Sequence, residues 1–96
     1  MLSYIVEYLG TFLFLSVIVS TGHPVFISLA LLLVILLGAN ISGGHYNPAV
    51  SIMFWSKGAL SSADLAGYFA AQALGGISAL AVFYVLTHKA TQHTNN

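Results

Sequence analysis

Long apolar runs separated by short polar breaks divide this chain into helical elements. From Ser3 to Ser20, from Val25 to Ile41 and from Leu65 to Thr87 the side chains are mostly Leu, Ile, Val, Phe, Ala and Tyr. At ~1.5 Å of rise per residue such stretches suit a hydrocarbon core ~30 Å thick, so the pattern predicts three membrane spans over 3–20, 25–41 and 65–87, the second the shortest. Thr21-Gly22-His23-Pro24 joins the first two, because glycine and proline punctuate helices. After Gly38 the pattern changes to Ala39-Asn40-Ile41-Ser42-Gly43-Gly44-His45-Tyr46, too polar and glycine-rich for a helix facing lipid. Backbone of this kind is tolerated at membrane depth only where protein or a water-filled cavity surrounds it.

Asn47-Pro48-Ala49 follows that break. Asparagine is a favoured N-cap and proline a favoured first helical residue, so a helix is expected from here through Val50, Ser51, Ile52, Met53 and Phe54 to Trp55. About nine residues give ~14 Å, enough to enter a bilayer and too little to cross it. Loop and half-helix together, over 42–56, read as a re-entrant segment whose positive dipole end lies near the membrane midplane. Lys57 and Gly58 end it, Ser61, Ser62 and Asp64 are N-cap candidates for the next span, and 88–96 is a polar tail. The whole of 1–96 reads as one repeat of span, span, half-helix, span.

Composition sharpens this into an all-α integral membrane protein. Of 96 residues 58% are hydrophobic, and the charged side chains are Glu7, Lys57, Asp64 and Lys89, too few for an ordinary soluble domain. Zero net charge and no arginine argue against nucleic acid as a partner. With no cysteine, neither a disulfide framework nor a thiolate metal site is expected. The first apolar stretch lacks a basic flank and carries Glu7, so it reads as a retained span rather than a signal peptide. No carboxylate pair, metal-ligand cluster or activated nucleophile stands out, and an enzyme, a cofactor or a bound metal is not expected. His88 and His93 alone do not make a metal site.

Particular residues carry the candidate chemistry. If the Asn47 side-chain oxygen caps the new helix, its amide NH2 stays free to donate to a passing oxygen atom. Glu7 is an ionisable group in an apolar span and needs partners there. Gly67, Ala71, Gly75 and Ala79 recur every four residues and form a stripe for close helix crossing. Tyr4, Tyr8, Trp55 and Tyr84 read as interfacial or packing aromatics.

Three separated motifs together resemble one family, the aquaporin and aquaglyceroporin channels, or major intrinsic proteins. They are Val6-Glu7-Tyr8-Leu9-Gly10-Thr11, the run Ile41-Ser42-Gly43-Gly44-His45-Tyr46-Asn47-Pro48-Ala49-Val50, and Ala71-Gln72-Ala73-Leu74-Gly75-Gly76. The resemblance covers essentially the whole chain and matches the first half of a family member. It implies that Gly43, Gly44, His45 and Tyr46 offer backbone carbonyls along half of a pore, that Asn47, Pro48 and Ala49 form its midplane tip, and that Glu7 and Gln72 hold the loop. His45 admits two readings, a pore-lining group or a structural hydrogen-bonder. A proton relay from Glu7 to His45 is the less favoured role for that pair.

Family pores use two half-helices meeting end to end, one from each side of the membrane, and one repeat supplies one. Carbonyls of Gly43, Gly44 and His45 left against lipid would each cost several kcal/mol. An antiparallel pair of copies reproduces the inverted repeat, so the expectation is a dual-topology homodimer. Lys57 and Lys89 would then fall on opposite sides, a balanced distribution that fits either orientation. Four such pores clustering as a tetramer of dimers follows by resemblance. The family's usual filter arginine corresponds here to Val50, with Ile27 and Leu31 as candidates for the facing side chains, so the expected filter is less polar. The expected function is passive passage of water or small neutral solutes such as glycerol through a plasma or inner membrane. The alternative is a non-conducting or partner-dependent half-channel subunit that assembles with a second-half or full-length relative.

Overall fold

The computed structural model describes the backbone of residues 1–95 and the side chains of residues 1–89. Over these residues the chain is all-helical, with α1 (Leu2–Thr21), α2 (Pro24–Gly38), α3 (Pro48–Ser56) and α4 (Ser62–Asn95). Two helices are long and apolar enough to cross a membrane, α1 and the Ser62–Lys89 part of α4, while α2 is apolar but shorter, at 15 residues. Past Gly38 the α2 path continues as a loosened turn. Ala39 keeps right-handed helical dihedrals, and Ser42 N–H and Gly43 N–H donate to the carbonyls of Gly38 and Ala39. From 24 to 42 this path rises roughly 28 Å, so the second apolar stretch approaches bilayer thickness by tapering. α4 begins ahead of Leu65, and its backbone stays helical through the polar segment to Asn95. Residue 96 and the His93 side chain of that segment lie outside the described residues.

Local chemistry sets the helix ends. Gly22 takes a left-handed conformation (φ 59°) to close α1, and His23 caps α2 by accepting the Val25 N–H on Nδ1, with Pro24 in the first turn. At α4 the Ser61 hydroxyl accepts the Asp64 N–H at 3.0 Å. Asp64 in turn accepts from Tyr4 Oη at 2.6 Å, tying the start of α4 to the start of α1.

Contacts along α1 give the topology. Tyr4 meets Asp64, Glu7 meets Gln72 and Tyr8 meets Ser78, so numbers rise together and α1 and α4 run parallel. Against α2 they run oppositely, with Val6 and Gly10 near Gly38, after a connection of just Gly22 and His23. If α2 ends and α4 starts at the same end of the bundle, the segment between them must leave and return on one side. α3 sits in that segment and therefore turns back without traversing the bundle.

The packing is inverted relative to a water-soluble domain. Among the described residues the largest fully buried side chains are Glu7, Thr11 and Ser51, while Leu36 is 70% and Leu37 68% exposed. Polar atoms inside and leucines outside suit a protein whose surroundings are hydrocarbon. The α1–α4 seam uses the small-residue stripe. A Cβ on Gly75 would stand 2.8 Å from the Tyr8 carbonyl oxygen, one on Gly67 would fall within the Tyr4 ring, and Ala71 and Ala79 are buried in the same seam.

Candidate functional site

The loop between α2 and α3 folds around one carboxylate. Gly43 (φ 93°), Gly44 (φ 64°) and Tyr46 (φ 55°) all take left-handed backbone conformations, which glycine adopts freely and other residues seldom do. This curl turns two consecutive N–H groups inward, the kind of backbone concavity that receives an anion. Glu7 fills it. His45 N–H donates to Glu7 Oε2 at 3.0 Å and Tyr46 N–H to Oε1 at 2.8 Å. The Ser42 hydroxyl adds a bond to Oε2 at 2.7 Å, and Gln72 Nε2 one to Oε1 at 3.0 Å. Both carboxylate oxygens thus accept two bonds each. Burying a carboxylate in an apolar bundle is tolerable when its acceptor sites are filled in this way.

The same amide of Gln72 donates to Ser51 Oγ at 2.9 Å, and Ser51 Oγ lies 2.9 Å from His45 Nδ1. His45 is buried, stacked on Phe54 at 4.7 Å between centroids, with the Tyr68 ring edge-on at 5.1 Å. Tyr68 Oη donates to the Ser42 carbonyl at 2.6 Å. The Lys57 ammonium stands 5.3 Å from the centroid of the Phe54 ring. α1, α3 and α4 therefore meet in one polar knot at the first turn of the half-helix, just behind its tip.

The tip of α3 is arranged differently. Asn47 takes an extended backbone conformation, and its Oδ1 accepts the Ala49 N–H at 2.8 Å, with Pro48 opening the helix. Among the described residues its amide NH2 has no hydrogen-bond partner, and Asn47, Pro48 and Ala49 are exposed. Asn47 and Pro48 border a cavity of about 540 Å³ whose other walls include Thr11, Phe14 and Leu15 of α1 and Gln72, Gly76 and Ile77 of α4. Residues 11 to 15 lie near the middle of the 20-residue α1, so the tip stands level with the helix centre. Apolar walls around one free amide donor suit transient contact with a neutral, oxygen-bearing solute.

Of the residues singled out for the solute path, Tyr46, Asn47 and Pro48 border this cavity, while Gly43, Gly44, His45, Ala49 and Val50 lie outside its lining. Glu7 and Gln72 both bond within the loop's network. Sequence reasoning passed over Ser42, Ser51, Tyr68 and Thr11. Ser51 carried one legible signal, as the polar residue inside an otherwise apolar half-helix. Among the described residues, Thr11 Oγ1 and Gln72 Oε1 are buried without a hydrogen-bond partner.

Comparison with known proteins places these features in context. The model of the family described as "Major intrinsic protein" matches residues 18–96. The chain is 38% identical over 95 residues to Aquaporin Z of Photorhabdus laumondii, covering 83% of this chain and 41% of that protein. Against Aquaporin Z of Brucella melitensis identity is 52% over 46 residues, covering 48% and 20%. Against Glycerol uptake facilitator protein-like 6 of Lactiplantibacillus plantarum it is 38% over 90 residues, covering 84% and 42%. The chain spans about two fifths of the length of the first and third of these relatives and a fifth of the second. No solved structure matches the chain significantly.

Proposed function

The chain belongs to the major intrinsic protein family, and on that premise we propose that it forms one repeat of a passive membrane channel for water and small neutral solutes. The observation that carries this reading is the state of Asn47, which borders the 540 Å³ cavity with its oxygen committed to the helix start and its amide NH2 unpaired among the described residues. A solute oxygen passing that level accepts a brief hydrogen bond, and the positive end of the α3 dipole disfavours cations there. Carbonyls of Gly43, Gly44, His45 and Tyr46 extend the path toward the end where α2 meets the loop. Glu7 and Gln72 support that loop, and the two membrane-capable helices together with α2 make a multi-pass protein of the plasma or inner membrane. The names of the relatives, two water-channel names and one glycerol facilitator, support a neutral solute.

A single repeat leaves the Asn47 tip and the apolar walls of Phe14, Leu15 and Ile77 without a facing surface. An inverted second repeat supplies one, bringing a second half-helix from the opposite side. Our reading is that a second copy of this chain provides it, with Lys57 and Lys89 distributed so that both orientations are acceptable, and that such pairs group in fours. Val50 in place of a filter arginine makes the constriction less polar, which favours glycerol-sized solutes beside water.

Stopped-flow light scattering on liposomes holding the purified chain alone tests this. Rapid shrinkage in sorbitol, and shrinkage followed by re-swelling in glycerol, is the expected result. Shrinkage no faster than in empty liposomes, with folded protein present, would replace the two-copy pore by a subunit that needs a different second repeat.

A further inference from the structure

We propose that Tyr46 is a positioning residue that sets the stance of the Asn47 tip and hence the discrimination between water and larger neutral solutes, acting through a notch between α1 and α2 on the far side of the loop. The inference rests on the channel reading above.

Tyr46 is gripped at three places. Its N–H is bound by Glu7 Oε1 at 2.8 Å, its hydroxyl donates to the Val34 carbonyl of α2 at 2.6 Å, and its ring lies where side chains are missing from both neighbouring helices. A Cβ on Gly10 would fall 2.1 Å from Tyr46 Cε1, and one on Gly38 would fall 1.9 Å from Tyr46 Oη. The two glycines thus cut a notch in the shape of this ring, and the side chain is 3% exposed. Val34 is likewise buried at 3%. A phenol hydroxyl in so apolar a place is tolerated where it has a partner, and here that partner lies at one point along α2. The ring cannot slide along the notch without breaking the bond, so the hydroxyl acts as a register pin.

What the pin controls is the next residue. Tyr46 holds a left-handed backbone conformation, φ 55°, unusual for an aromatic side chain, and the chain turns there into the N-cap Asn47. Tyr46 also borders two cavities, the 540 Å³ one beside Asn47 and a groove of about 210 Å³ between α1 and α2. Its ring faces the Gly10–Gly38 notch while its main chain continues into the tip. Small rotations at the pinned ring therefore pass directly into the direction of the Asn47 amide.

The test uses the ratio of glycerol to water permeability in proteoliposomes, each taken after subtracting the flux of empty liposomes, so that it does not depend on how many channels fold. Tyr46→Phe keeps the ring and removes the pin, and should shift that ratio by about threefold, the scale of one ordinary hydrogen bond. Gly38→Ala drives a methyl group into the hydroxyl and should shift it further. In the double variant the nearest ring atom to the methyl is Cζ at 3.2 Å in place of Oη, and the remaining close contact is the Val6 Cγ1 methyl at 2.9 Å, which a side-chain rotation relieves, so adding Tyr46→Phe should bring the Gly38→Ala ratio back toward that of Tyr46→Phe alone. An unchanged ratio in Tyr46→Phe, with total flux merely lowered, would reduce the residue to a structural role and overturn the proposal. Absence of flux in the unaltered protein would instead strike the channel reading itself.

Discussion

The polar base on which the start of α3 rests and the tip that it carries are built on opposite principles. At the base, the Glu7 carboxylate is saturated, accepting from Ser42, His45, Tyr46 and Gln72, and Ser51 joins Gln72 to His45. At the tip, Asn47 is exposed and keeps a donor in reserve. The difference teaches how a polar contact can be made available inside a membrane. The loop's inward N–H groups are consumed by Glu7 and hold the tip still, so the free Asn47 donor meets solute without collapsing onto the protein. Stability should accordingly reside at the base and solute contact at the tip.

Breaking the base should have the largest effect. Glu7→Gln replaces one acceptor oxygen by a donor, leaving two of the four converging groups opposed or unpaired. Each buried polar group left so costs about 1–3 kcal/mol, so thermal unfolding in detergent should move down sharply and flux should be lost. A variant that melts like the parent would show that the carboxylate is not the anchor. Next in size, Gly75→Leu should pry α1 from α4, because even a Cβ there would approach Tyr8 O at 2.8 Å and Phe12 N at 3.1 Å. Overpacking of this kind costs about 1–3 kcal/mol, read as a lowered melting temperature, and it leaves the loop network chemically intact. Smallest in stability and sharpest in function is Asn47→Asp. Aspartate caps a helix about as well as asparagine, so melting should barely change, yet the free donor is replaced by an acceptor and flux should fall severalfold. Unaltered flux in that variant would remove Asn47 from the solute path.

Much of this contrast was readable in the chain. The half-helix start at Asn47-Pro48, the need for partners at Glu7 and the small-residue stripe on α4 each follow from local spacing and residue chemistry. The parts that were not readable depend on residues far apart in sequence. Nothing local says that Gly10 and Gly38 make room for the same tyrosine ring, or that Tyr46 takes a left-handed backbone that glycine would be expected to occupy. Ser42 and Ser51 look like ordinary loop and helix serines until Glu7 and Gln72 are brought beside them. The taper of α2 from helix into turn was hidden for a different reason, since apolar Ile41 continues the hydropathy pattern after the regular helix has ended at Gly38 and only scattered turn bonds follow.

In the proposed pore the exposed tip of α3 faces its own inverted counterpart, and a cross-link between the two tips checks that pairing. The chain has no cysteine, so Ala49→Cys introduces a single thiol at the exposed start of α3. Treatment of proteoliposomes with a short bis-maleimide should yield a covalent dimer and close the water flux at the same time. Flux that persists in protein that stays monomeric after complete thiol modification would contradict the account.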